Sequence, residues 1–194
     1  MILSTQQYQQ KKGIEKDARV VERFKYIKQV IVIMSGKGGM GKSTVAANLA
    51  LALSERVGAG QVGIVDAYIH GPNIPKILLS ILQFIPEIAE FIIVTTPQEG
   101  ALRDCQKTLS MVLQMQKSVL GVIESEFICP SCGQHHKIFG EEGGKKLADQ
   151  FNVEFLGSVP IDLKLRKQED KGLELAFEPF REIARRIHEK LNER

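Results

Sequence analysis

The sequence predicts an α/β domain, a doubly wound and mostly parallel sheet with helices on both faces, and three observations carry that expectation. Short β-branched runs alternate with amphipathic stretches. A glycine-rich turn separates the first such run from the first long helical stretch. At 194 residues, the chain is long enough for one well-buried core and short for two. Hydrophobic residues make up 43% and charged residues 25%, ordinary globular values that exclude a disordered or fibrous chain. No apolar run approaches the roughly 20 residues that cross a bilayer, and Met1 to Gln10 lacks the apolar core of a secretory signal, so a cytoplasmic protein with no membrane contact is expected. A net charge of +3, with the basic residues spread along the chain, gives no case for nucleic acid. Three cysteines in a reducing compartment are poor material for a disulfide framework and direct attention to metal or redox chemistry.

Taken in order, residues 1–28 read as an N-terminal amphipathic helix, because Ile14, Ala18, Val21, Phe24 and Ile27 recur at three- to four-residue spacing. Its apolar stripe suits packing on the domain better than lying in a membrane surface. Residues 29–194 form the main domain, with a Cys- and Gly-rich insert near 127–140. Val30 to Met34 is a β-branched run of the kind buried on both faces in a parallel sheet. Ser43 to Leu53 then reads as helix, with Val45, Leu49 and Leu53 on one side, and Val62 to Val65 as a second buried strand ending in Asp66. Phe91 to Val94 and Val119 to Ile123 are further strands, with a helix from Gln98 to Met115 between them. Beyond the insert come helix Lys145 to Phe151, strand Glu154 to Gly157 and a closing amphipathic helix from Leu175 to Leu191.

Gly36-Lys37-Gly38-Gly39-Met40-Gly41-Lys42-Ser43 fits G-x-x-x-x-G-K-S/T and lies between a strand and a helix, where the chemistry requires it. Glycines let successive backbone N–H groups turn inward on phosphates, and the start of the following helix adds potential favourable to anions. The loop Gly36 to Thr44 is therefore predicted to bind ATP, with Lys42 on the β- and γ-phosphates and the Ser43 hydroxyl on Mg²⁺. Lys37, directly after the first glycine, makes the loop resemble the deviant Walker A motif of the ParA, MinD and nitrogenase iron-protein group. That resemblance implies an ATP-dependent homodimer in which Lys37 reaches the partner's nucleotide.

Cys129-Pro130-Ser131-Cys132-Gly133 is a C-x-x-C knuckle, whose spacing lets two thiolates face one metal. Two thiolates are half of a tetrahedral site. A symmetric partner supplies the other half of a dimer-bridging iron–sulfur site, or His135 and His136 complete a zinc site, or the pair is redox-active or structural. Cys105, alone on a predicted helix, reads as a small packed residue.

Four segments in order, Ser35 to Thr44, Val65 to Pro72, Val94 to Glu99 and Phe127 to Gly133 followed by Phe139-Gly140-Glu141, together resemble the Mrp/ApbC family of P-loop ATPases that carry iron–sulfur clusters to apoproteins. The resemblance runs from about Val30 to Asp162 and beyond. It implies a 4Fe–4S cluster held by Cys129 and Cys132 of two subunits, nucleotide contacts at Pro160 and Asp162, apo iron–sulfur proteins as recipients, and hydrolysis that is slow and works as a conformational switch.

Three departures stand out. The family's D-A-D-I-H-G-P reads Asp66-Ala67-Tyr68 here, and a phenol cannot orient or deprotonate water as a carboxylate does. Asp66 remains as a candidate Mg²⁺ partner within the catalytic set Lys37, Lys42 and Asp66. The family's Walker B strand and D-x-P-P-G-T-G-D switch are missing, since Lys76-Ile77-Leu78-Leu79 runs straight into Ser80-Ile81-Leu82. Glu124-Ser125 likewise lacks the asparagine that the family places near adenine. The sequence is thus expected to be an ATP-binding iron–sulfur carrier whose hydrolysis is impaired. Its competitors are a MinD- or ParA-like positioning ATPase, which the cysteine knuckle disfavours, and a non-hydrolysing nucleotide-binding scaffold with a zinc knuckle.

Overall fold

Four apolar runs become four strands of one sheet in a computed structural model that describes residues 26–65, 89–127, 140–161 and 177–193. In chain order the elements are β1 (Val30–Met34), α1 (Lys42–Val57), β2 (Ala89–Thr95), α2 (Glu99–Gln114), β3 (Val119–Phe127), α3 (Gly143–Phe151), β4 (Phe155–Ile161) and α4 (Glu178–Asn192). By contacts the chain divides into two units, Met1–Val30 with Ala67–Ala89 and Ile31–Asp66 with Glu90–Arg194, and nearly all described residues belong to the second. The strand order is β1-β2-β3-β4. Strands β2 and β3 pair in parallel, as do β3 and β4, the connection being a helix each time, as parallel neighbours require. The predicted α/β class is what is observed.

Strand and helix residues build the core together. Ile92 and Val94 of β2, Leu120 of β3, and Leu156 and Val159 of β4 join Val45, Leu49 and Ala52 of α1 and Phe180, Ile183, Ala184 and Ile187 of α4 in one buried cluster. The apolar positions of α4 fall at three- and four-residue intervals, so one stripe of the helix closes that face. Arg181 of α4 bridges to Glu55 of α1 at 2.8 Å, a half-exposed pair that fixes orientation more than it stabilises. On the other face, α3 lies against β3 and reaches α2, where Gln106 bonds Gln150 at 3.0 Å.

The described elements differ from the sequence reading in several places, β3 running on to Phe127 and α1 to Val57 among them. Val62 to Val65 takes no strand; Ile64 is 60% and Val65 88% exposed. A β-branched run becomes a strand only where a neighbour takes up its backbone hydrogen bonds, and the sheet order offers this one no place among the described strands. For the same reason β1 is half-buried along its whole length, whereas the sequence reading buries both its faces: it ends the sheet among the described strands. Strand β4 also continues past Gly157 to Ile161, through Pro160. Proline is tolerated there because β4 ends the order, so one side of it donates to no described neighbour. Residues 1–25, which hold most of the predicted N-terminal helix, lie outside the described residues. No helix among the described residues is long and apolar enough to cross a membrane.

Candidate phosphate-binding site

The turn between β1 and α1 is shaped by two glycine positions. Gly41 has φ +84°, left-handed backbone that costs a side-chain-bearing residue free energy, and it caps α1 without any side-chain hydrogen bond. Gly36 sits so close to α2 that a Cβ there would stand 2.5 Å from the Asp104 carbonyl carbon and from the Cys105 nitrogen. α1 has no side-chain cap and no acidic residue in its first turn, so among the described residues no capping oxygen and no like charge of the helix competes with an incoming anion.

Lys42 opens α1 and folds back over the loop. Its Nζ donates to Ser35 Oγ at 3.0 Å and approaches the Lys37 carbonyl at 3.5 Å, while Ser35 Oγ donates to that same carbonyl at 2.7 Å. Burial pulls the Lys42 ammonium below its ordinary value, and nearby Cys105 opposes that shift. A half-buried ammonium that meets no carboxylate among the described residues is suited to a phosphate. Where Gly38 and Gly39 would carry a Cβ there is open space, so no described side chain fills the loop there. Lys37 is exposed and serves the loop through its carbonyl, and Ser43 is exposed at the start of α1.

From beneath, the loop is fastened by residues that no loop pattern points to. Met40 is 3% exposed; its carbonyl accepts from Ser125 Oγ of β3 at 3.0 Å and its Sδ from Thr96 Oγ1 at 3.5 Å. The sequence marks Ser125 only as a place where the family's asparagine is absent, and its contact spans 85 residues of sequence. Cys105 is fully buried, as the sequence suggests, but its Sγ also accepts from the Gly36 amide at 3.3 Å and lies 3.6 Å from the Val94 carbonyl. Burial pushes the thiol's pKa up, with Thr95, Gly36 and Lys42 pulling the other way and Asp104 adding to the rise. Beside Ser125 on the strand, the buried Glu124 carboxylate accepts from the Gly144 amide at the start of α3. Desolvation raises its pKa against that bond; Glu126 and Glu142 raise it further and Lys146 lowers it.

Of the residues predicted from sequence, Gly36 through Thr44 form this one loop and helix start. Pro160 lies on β4 opposite Glu126 of β3. Asp66, Tyr68, Cys129, Cys132, His135, His136 and Asp162 lie outside the described residues. No group of three or more His, Cys, Asp or Glu poised for a metal occurs among the described residues.

Comparison with known proteins adds to this geometry. A family profile described as "ParA: NUBPL iron-transfer P-loop NTPase" matches residues 26–80 and 77–193. An iron–sulfur cluster carrier protein of Methanocaldococcus jannaschii is 33% identical, over 91% of this chain and 90% of its own. One of Pyrococcus furiosus is also 33% identical, over 90% of each. Among solved structures, a nucleotide-binding protein in complex with ADP from Archaeoglobus fulgidus superposes with a TM-score of 0.55 at 25% identity, covering 86% of this chain and 92% of that one. The cell division ATPase MinD of Pyrococcus furiosus gives a TM-score of 0.54 at 19% identity over 84% of this chain and all of its own, a likeness of fold. The alignment with the M. jannaschii protein runs over 262 positions, more than this chain's 194 residues, so the relative carries segments with no counterpart here. Residues 77–80, where the two matched stretches of the family profile meet, are also where the sequence lacks the family's switch segment.

Proposed function

This chain belongs to the NUBPL iron-transfer P-loop NTPase (ParA) family, and from that premise we propose that it binds Mg-ATP and carries a 4Fe–4S cluster to apo iron–sulfur proteins as a nucleotide-controlled homodimer. One observation carries the nucleotide half: Lys42 brings a half-buried ammonium over an uncapped helix start and an open glycine loop. In that role Lys37 to Gly41 offer backbone amides, the Gly36 amide being held by Cys105, while Lys42 neutralises phosphate charge and Ser43 would hold Mg²⁺. The metal would supply positive charge to the phosphates. Cys129 and Cys132 hold the cluster, which is cargo, and Pro160 and Asp162 contact the nucleotide. The names of the relatives support the cargo. Calorimetry with Mg-ATP tests the first half; anaerobic reconstitution with iron and sulfide, with iron counted per dimer and visible absorbance recorded, tests the second. A Cys129→Ala, Cys132→Ala double variant that still loads a cluster overturns the ligand assignment.

A second reading concerns hydrolysis. Tyr68 stands where the family has an aspartate, and the relatives carry extra segments, so this chain is proposed to hold nucleotide while hydrolysing it poorly. Phosphate release at saturating Mg-ATP decides. Turnover at the rate of a relative with the switch segment overturns this reading and leaves the carrier reading untouched.

A further inference from the structure

Met40 is joined to the start of α3 by two short routes. On the first, its carbonyl takes the Ser125 hydroxyl at 3.0 Å, and the neighbouring Glu124 takes the Gly144 amide in its carboxylate. Adjacent strand residues point to opposite faces, so β3 carries the connection through the sheet, from the side of the phosphate loop to the side of α3. On the second route, Met40 Sδ takes the Thr96 hydroxyl at 3.5 Å, and Pro97, the next residue, lies against the first turn of α3. A Cβ added at Gly143 would stand 3.0 Å from Pro97 Cα and 2.8 Å from Leu102 Cδ1; one at Gly144 would stand 3.0 Å from Glu124 Cβ.

These routes leave little slack. Met40, Thr96, Glu124 and Ser125 are all buried, and close-packed interiors pass a displacement on instead of absorbing it. The far end is strained. Glu142, the cap of α3, has φ +53°, a left-handed backbone that a non-glycine residue keeps only where its surroundings over-determine it. In the sequence, the stretch that carries Cys129 and Cys132 leaves β3 at Phe127, three residues beyond Glu124, and rejoins the described chain at Gly140, just before that strained cap.

We propose that Met40 is a coupling residue: through Ser125–Glu124 and Thr96–Pro97, nucleotide in the phosphate loop stabilises the start of α3 and so the point at which the cysteine-bearing stretch is anchored. The proposal rests on the reading of the loop as a nucleotide site and names how that site regulates the cysteines. A ligand shifts a second site only by what it changes in the contacts between them, and here those contacts are three named hydrogen bonds and the packing of Pro97 on the first turn of α3.

Hydrogen exchange over residues 143–151 of the full chain, without ligand and at saturating ADP with magnesium, tests it. The Gly144 amide, bound to Glu124, and the Lys146 amide, bound to the Glu142 carbonyl at 2.9 Å, are the reporters. Nucleotide is expected to slow their exchange at least about fivefold. Ser125→Ala and Thr96→Val each diminish that slowing and the double variant abolishes it, with each variant's ligand-free exchange as its own baseline. Calorimetry on the same samples separates the failures. Absence of binding in the wild type removes the nucleotide reading and the coupling together, whereas binding with unchanged exchange at 144 and 146 overturns the coupling alone. If the double variant does not fold, Ser125→Ala decides, and undiminished slowing in it overturns the proposal.

Discussion

The Gly36 amide donates a hydrogen bond to the Cys105 thiol at 3.3 Å, fastening the first residue of the phosphate loop to α2 across 69 residues of sequence. The approach is possible only because residue 36 has no side chain, since a Cβ would fall 2.5 Å from the α2 backbone at Asp104 and Cys105. Backbone cannot swing aside as a long side chain can.

Gly36→Ala is therefore expected to destabilise the fold by about 1–3 kcal/mol, the usual cost of overpacking, and to lower the melting temperature by roughly 2–4 °C for each of them. Gly38→Ala is the control, because the space around Gly38 is open, and it is expected to melt with the wild type. Thermal unfolding of the two variants checks both, and equal melting temperatures would refute the close approach.

Cys105 is expected to be chemically quiet. It is fully buried, and burial raises its pKa, so the reactive thiolate is scarce near neutral pH. Alkylation of the native protein with iodoacetamide, followed by peptide mass spectrometry, should leave Cys105 unmodified until denaturant is added. Labelling of the native Cys105 as fast as a free thiol would contradict the burial.

How much of this was legible beforehand depends on how local each feature is. The loop could be read because its demands are local: glycine at the left-handed Gly41, a lysine at Lys42 and a strand and helix on either side. Val62 to Val65 could not, because a strand is a property of a pair and the sequence shows only one member. Ser125 and Cys105 were opaque for a related reason. At Ser125 the sequence marks only an absent asparagine and at Cys105 only a small packed residue; folding brings them to Met40 and Gly36. The full length of β4 is not local either, since a proline such as Pro160 stops a central strand but not one at the end of the described order.

The buried Glu124 gives stability a pH dependence of a definite sign. Its native pKa is raised, chiefly by desolvation, above that of the unfolded chain, so in the window between the two the native state holds more protons than the unfolded state. Stability from this group is therefore highest below the ordinary carboxylate range and is lost as pH rises toward the raised native value. Glu124→Gln keeps an acceptor for the Gly144 amide and cannot ionise. Urea midpoints of the two proteins across that window should diverge as pH rises, the wild type losing ground to the variant. A difference that is flat, or that moves the other way, refutes the assignment.

The two lysines of the loop are predicted to fail differently. Lys42 sits over the loop with its ammonium 3.0 Å from Ser35 Oγ and half-withdrawn from water, where a charged hydrogen bond to phosphate contributes about 1.5–3 kcal/mol. Lys42→Ala should weaken ADP binding about 10- to 150-fold by calorimetry. Lys37 meets the loop through a carbonyl that any residue supplies, and its side chain is exposed. Lys37→Ala should therefore change ADP affinity by no more than about twofold, as exposed substitutions usually do. Its loss should show only where a second subunit is present, as weaker dimerisation with ATP in sedimentation experiments. An ADP affinity as poor in Lys37→Ala as in Lys42→Ala would mean that both ammonium groups serve the same subunit's phosphates.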